Sequence, residues 1–206
     1  LTSGFNINFN YTSYAAFNEM MGFTEKEVRA ILDYYRQFHP FNHTTDELID
    51  IIKPWYDNYC FSGRSLDRET VYNSDMVLYF VNAYIGNECL IPSDMLDTNI
   101  RIDHKKLMML VRKDRDIQTS VIQEIVNNGK VYALLNENFP AKNVSDRNNF
   151  ISLLYYFGML TITGQRLRQL EFSVPNQVVR EQMYDFMLES YRNEDLQLRD
   201  CDVEEM

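Results

Sequence analysis

Apolar residues recur at helical spacing through most of this chain, with short alternating stretches between them. Residues 1–22, rich in Asn, Ser, Tyr and Phe, lack that period and read as a loop with one turn around Ser13–Met20. The first helix opens at Thr24. Its spacing to Glu27 makes a capping box, in which each side chain satisfies the other's free backbone N–H. Val28, Ile31, Leu32 and Tyr35 then share one face. Thr44 and Glu47 repeat the box ahead of Leu48, Ile49 and Ile52, and Pro54 is expected to stop that second helix. Tyr59–Phe61 and Thr70–Tyr72 flank a polar loop containing Gly63, which predicts a short two-stranded ribbon. Asn73 caps a third helix from Asp75 to about Tyr84. It is apolar almost all round and therefore buried, with Gly86 ending it.

Residues 87–102 are irregular around Pro92, and Asp103–Arg112 reads as helical. Ile117, Val121, Ile122, Ile125 and Val126 mark another helix, closed by Gly129, and Lys130–Leu135 reads as a short strand. Phe150, Leu153, Leu154 and Phe157 return to helical spacing, with Gly158 where a left-handed cap is wanted. Leu160–Thr163 and Leu170–Val174 alternate apolar with polar, and Gly164 is placed at the turn of the resulting hairpin. Pro175-Asn176 then opens a helix carrying Val179, Met183, Phe186 and Met187. Helix, hairpin and helix after two further helices is the order of a winged-helix unit. The fold class expected is mainly α with small β-hairpins. A helical region with an aromatic ribbon spans 1–135, a winged-helix-like unit with an acidic tail spans 136–206, and the boundary is soft near 130–145.

Composition narrows the setting. At 206 residues and 45% hydrophobic content the chain can bury a real core. A net charge of −10 works against nonspecific adhesion to nucleic acid or anionic membrane, while leaving room for a local basic patch. Part of the acid excess lies in the tail, at Glu194, Asp195, Asp200, Asp202, Glu204 and Glu205. Cys60, Cys89 and Cys201 form neither a metal motif nor a disulfide framework, which fits a reducing cytoplasm. No apolar run approaches membrane-spanning length and no signal peptide is visible, so the sequons at Asn10, Asn42 and Asn143 read as chance. A start at Leu1 rather than Met fits a fragment of something longer.

No catalytic constellation stands out. A P-loop needs Gly-x-x-x-x-Gly-Lys-Ser/Thr, because glycine amides cradle phosphate and Lys and the hydroxyl complete the site. Around Gly129-Lys130, Glu124 holds the first glycine's place and Val131 the hydroxyl's, so this stretch is not expected to hydrolyse ATP. Asp103-His104-Lys105 has the short acid–Lys spacing of a Mg²⁺-dependent nuclease but lacks an upstream Pro-Asp, and reads as an N-cap acid before a basic face. Pro40 lies between His39 and His43, and His104 is remote, so the histidines read as exposed loop residues rather than zinc ligands. Arg166 and Arg168 at the hairpin turn, with Arg147 on the preceding helix, could touch nucleic-acid phosphates. In an acidic chain they read first as ordinary solvated residues.

The segment Trp55-Tyr56-Asp57-Asn58-Tyr59-Cys60-Phe61, followed by Val71-Tyr72-Asn73-Ser74, is explained by neither composition nor period. Read from the residues alone, it is an aromatic ledge in the core with hydrogen-bonded hydroxyls, or an interface. It resembles the "WYDGYxF … YNP" signature of a bacterial family of AAA-like ATPases, many fused to a PD-(D/E)XK nuclease. Further stretches are similar to blocks of the same family. Leu1–Ile7 looks like the segment after the last strands of its P-loop core, and Gly22–Val28 like its "GFTEEEV" helix start. Leu153–Ile162 resembles its "LLYxxGYLTI" and Pro175–Glu181 its "PNxEVRE". The chain departs from the pattern at Asn58, where the family has Gly, at Ser74, where it has Pro, and at Met159, where it commonly has Tyr.

The resemblance implies a lid and winged-helix portion without the P-loop core or the nuclease. Such a module would be non-catalytic. It would pack on an ATPase core in cis, beside a possible nuclease domain, and couple nucleotide state to an attached effector. No cofactor is expected in this chain, and ATP and Mg²⁺ belong only to an intact parent. The interface candidates are Trp55, Tyr56, Asp57, Tyr59, Phe61, Tyr72 and Asn73. The alternatives are a nucleic-acid-binding winged helix using Arg147, Arg166 and Arg168, and a cryptic nuclease using Asp103 and Lys105.

Overall fold

The computed structural model describes residues 11, 14–96, 115–140, 143–185, 187 and 188. Three helices form its first part: α1 (Glu25–Arg36), α2 (Thr45–Tyr56) and α3 (Ser74–Gly86). Both expected capping boxes are present. Thr24 N donates to Glu27 Oε2 at 2.8 Å and Glu27 N to Thr24 Oγ1 at 3.3 Å. The Thr44–Glu47 pair repeats this at 2.7 and 3.2 Å. Asn73 caps α3 by accepting from Met76 N at 3.1 Å. Val28 and Leu32 of α1, Leu48, Ile49 and Ile52 of α2, and Phe80 and Val81 of α3 then close into one core.

Two local expectations are corrected. Pro54 does not stop α2, which runs on to Tyr56, and Asp57 N still donates to Lys53 O at 3.2 Å. A proline this near the C-terminus removes only the N–H that would have met Asp50 O, and Asp50 lies on the solvated face. α3 ends at Gly86 as expected, with Asn87 as its C-cap. The chain reverses through Glu88 (φ 55°) and Cys89 (φ 59°), whose N–H donates to Tyr84 O at 2.9 Å. The expected ribbon at Tyr59–Tyr72 is reduced to single bridges, Tyr59 with Val71 and Tyr72 with Phe23.

The second part contains α4 (Arg115–Asn128), β1 (Lys130–Ala133), α5 (Arg147–Tyr156), β2 (Thr161–Arg166) and β3 (Gln169–Ser173), then a helix over 177–185, here α6. The strands form one antiparallel sheet in the order β1-β3-β2. The fold is thus mainly α with a small three-stranded sheet. Val121, Ile122, Ile125, Val131 and Ala133, from the region expected to end at 135, pack into this second core beside Phe150, Leu154, Phe172 and Met183. Gly129 (φ 73°) turns α4 into β1, which is the structural work of the Gly129-Lys130 pair. At the end of α5, Gly158 N donates to Tyr155 O and Met159 N to Leu154 O, the paired bonds of a Schellman cap.

Gly164 is not at the hairpin turn. It lies inside β2 beside a register shift between Ile162 and Gly164, and the turn falls at Leu167-Arg168, with Leu167 at φ 58°. One inserted residue makes the bulge and moves the reversal along the strand. The expectations for residues 1–10, Asp103–Arg112, Phe186 and the acidic tail lie outside the described residues.

Candidate functional site

The stretch Asp57–Phe61 leaves the first core and enters the second. Tyr56, at the end of α2, is fully buried in the first core, and its hydroxyl donates to Met95 O at 2.8 Å. Trp55 is half-buried against that same core. Asp57 follows as the C-cap of α2, 3% exposed, and its Oδ1 accepts from Thr70 Oγ1 at 2.9 Å. Asn58 then takes φ 78°, a left-handed conformation that Asn tolerates better than most residues. The turn delivers Phe61 to the second core and leaves Tyr59 and Cys60 buried between the two. Phe61 stacks on Tyr59 with ring centroids 5.8 Å apart and packs against that core's buried cluster.

Tyr59 joins the two halves. Its phenol lies beside the side chains of Asn73, the cap of α3, and Asn176, the cap of α6. Burial pushes the phenol's pKa up, and the neighbouring amides of Asn176 and Asn73 offset part of that rise. Asn176 Oδ1 accepts from Val179 N at 3.3 Å, and its Nδ2 donates to Asp57 O at 3.1 Å. One asparagine therefore caps a helix of the second part and ties down the loop leaving the first. Across the same seam Cys60 N donates to Thr161 Oγ1 at 2.7 Å, Ile162 N to Cys60 O at 3.2 Å, and the Tyr155 hydroxyl to Phe61 O at 2.8 Å. Asn18, fully buried, accepts from Phe61 N at 2.8 Å.

On the other side, Tyr72 exchanges two backbone bonds with Phe23, at 3.0 and 2.7 Å, and its hydroxyl reaches Glu25 Oε2 at 3.5 Å. Burial, with the charges of Asp57 and Glu25, pushes its pKa well up, so the phenol stays neutral. The approach is close enough to demand a glycine. A Cβ on Gly22 would stand 2.5 Å from Tyr72 O and 2.9 Å from Val71 Cγ2. Glu25 is held below the usual carboxylate range by hydrogen bonds from Lys53 and Arg29.

Of the expected interface residues, Asp57, Tyr59, Phe61 and Asn73 meet at this seam, whereas Trp55, Tyr56 and Tyr72 belong to the first core. Sequence reasoning missed Asn18, Thr161 and Asn176 as members. Only Asn176, placed directly before an apolar helix, carried a local signal. Burial pushes the Cys60 thiol up in pKa and keeps it protonated, which makes it a weak nucleophile. His43 is not a free loop residue, for its Nδ1 lies 2.9 Å from the Tyr84 hydroxyl. Among the described residues no group of three or more His, Cys, Asp or Glu could hold a metal ion.

The arginines do not share one setting. Arg147 is paired with Glu124 at 2.9 Å, whereas Arg166 and Arg168 are exposed at the hairpin tip around Leu167, itself 91% exposed. Asp103 and Lys105 lie outside the described residues. No helix among the described residues is long and apolar enough to cross a membrane. Comparison with protein-family models, curated proteins and solved structures found no match.

Proposed function

We propose that this chain is a non-catalytic module of an AAA-like ATPase, one that packs on a P-loop core and couples its nucleotide state to an attached effector. The observation that carries the reading is the seam at Tyr59. The stretches that resemble blocks of that family, Gly22–Val28, Trp55–Phe61, Val71–Ser74, Leu153–Ile162 and Pro175–Glu181, are far apart in the chain and meet around it.

The departures from the family pattern make physical sense there. Asn58 holds a left-handed backbone where the family has Gly. Ser74 is the first residue of α3 where the family has Pro, and that position favours proline because its N–H has no helical partner. The helix–strand–helix–hairpin order around a central β3 supports the winged-helix reading of the second part. Tyr14, Met20 and Met21, 50%, 71% and 56% exposed, offer apolar surface in the stretch after the one that resembles the P-loop junction.

A seam joining two cores is suited to relay, since a shift of one core would pull on the other through the short Asp57–Phe61 link. The test is binding of this chain to the separately expressed P-loop core of its own polypeptide, loaded with ATP or with ADP. Affinity that depends on the nucleotide is expected. Equal affinity in the two states, or no binding, would overturn the coupling. The nucleic-acid reading has narrower support in the exposed tip Arg166-Leu167-Arg168, because Glu124 already neutralises Arg147.

A further inference from the structure

Beside the seam, the loop following Phe61 and the strands β2 and β3 border an open cleft of about 380 Å³. That is within the size range of small-molecule sites and far beyond the ~30 Å³ that one water occupies in the liquid. Ser65, Leu66, Arg68, Ile162, Val174 and Pro175 are among the residues that line it. None of the lining residues is an Asp or Glu, in a chain whose net charge is −10.

Two groups there have unused hydrogen-bonding capacity. Ser65 is 1% exposed, and its Oγ has no hydrogen-bond partner, although buried hydroxyls are ordinarily paired. Arg68 donates from Nη1 to Ala15 O at 3.1 Å, and no carboxylate pairs with it among the described residues. The rest of its planar fork is open to a bidentate oxyanion. The carboxylates bonded to lining residues are already engaged. Asp57 accepts from Thr70, and Glu171 accepts from Thr163, Lys130 and Tyr132. Leu66, Ile162, Val174 and Pro175 add apolar lining that a bare inorganic anion would leave uncovered.

We infer that this cleft binds a small organic oxyanion, with its phosphate or carboxylate head on Arg68 and the Ser65 hydroxyl and its apolar body against Leu66, Ile162, Val174 and Pro175. This site stands apart from the ATPase reading, and either can fail without the other.

The experiment is an amide chemical-shift titration of the full chain with phenyl phosphate, benzoate and, as the neutral control, benzyl alcohol. The two acids are expected to saturate at millimolar concentration or below, with shifts confined to residues 58–70, 161–163 and 173–175. The stronger of the two identifies the head group. Arg68→Gln should weaken the better acid by about tenfold or more, and Ser65→Ala by roughly threefold. Arg68→Lys, which keeps the charge but loses the fork, should fall between wild type and Arg68→Gln. Unchanged thermal unfolding will show that each variant folds. Three results would overturn the proposal: no saturation by either acid, equal binding of benzyl alcohol, or Arg68→Gln and Ser65→Ala both binding as wild type does.

Discussion

The two cores of this molecule are built by different rules. In the first, each helix start is written locally: Thr24 with Glu27, Thr44 with Glu47, and Asn73 all close bonds within three residues. Ion pairs then lace α1 to α2 through Arg29–Asp46 and Lys53–Glu25. In the second, the middle strand β3 pairs with its hairpin neighbour Thr161–Arg166 and with the distant Lys130–Ala133, and α5 is buried on most of its surface, Asn149 and Ser152 included. The first core could form from short-range signals, whereas the second exists only once distant segments have met. Loop closure must be met before such pairings stabilise anything, so the second core should depend more on the whole.

The largest test is to hollow each core in turn. Phe80→Ala and Phe172→Ala each remove a fully buried ring and should cost about 3–5 kcal/mol in denaturant unfolding. Hydrogen exchange sharpens the comparison. If the Tyr59 seam couples the cores, Phe172→Ala will lower protection in α1–α3 as well. Loss confined to the second core would show two independent folding units.

Next in size is Gly22→Ala. The new Cβ meets the Tyr72 carbonyl, so the Phe23–Tyr72 bridge must yield, at a cost of about 1–3 kcal/mol. Thermal unfolding measures it, and a neutral result would mean the backbone there relaxes freely. Asn176→Ala removes the cap of α6 and the bond to Asp57 O together, and should cost about 1–2 kcal/mol. Chemical-shift changes at Asp57 and Tyr59, in addition to α6, are its signature.

A smaller effect runs the other way. Ser74→Pro suits the first turn of α3, and Asn73 already has the extended backbone (φ −63°, ψ 116°) that a residue before proline requires. The gain should be about 0.4–1 kcal/mol, read in thermal unfolding. Destabilisation would mean that α3 does not begin where described.

The smallest effect is in pH. Thr24 and Thr44 N–H groups hold Glu27 and Glu47 below the ordinary value of 4.5. A depressed carboxylate stabilises the fold above its unfolded pKa and loses that contribution as pH falls through the folded one. Acid should therefore loosen α1 and α2 at pH below about 4.5. A Glu27→Gln and Glu47→Gln double variant, which keeps the cap geometry without the titration, should flatten that acid limb in hydrogen exchange. In the second core Glu171, held down by Tyr132 and Lys130, is the comparable group.

The same contrast governs what could be read in advance. Capping boxes, the Asn73 cap and the Gly158 turn were legible because each is decided within one helical turn of sequence. The Leu167-Arg168 reversal was not, since nothing in a leucine announces a positive φ, and Gly164 offered a more conventional turn. Pro54 misled because its effect depends on whether the helix continues long enough to miss the lost bond. The aromatic segment was visible as unusual, yet its division between two cores was not, because Trp55–Tyr56 and Tyr59–Phe61 are equally aromatic.

By itself, then, the sequence determined the helical periods, their starts, and one segment that composition could not explain. Only the tertiary structure decided that Asn73, Asn176 and Tyr59 form one junction, that Thr161 receives the Cys60 N–H, and that Ser65 and Arg68 stand together beside a cleft. The reason is the range of the forces involved. A cap or a helical period is fixed by bonds a few residues apart. The junction links residues more than a hundred positions apart, as Asp57 and Asn176 are, and depends on two cores being packed before any of its bonds can form.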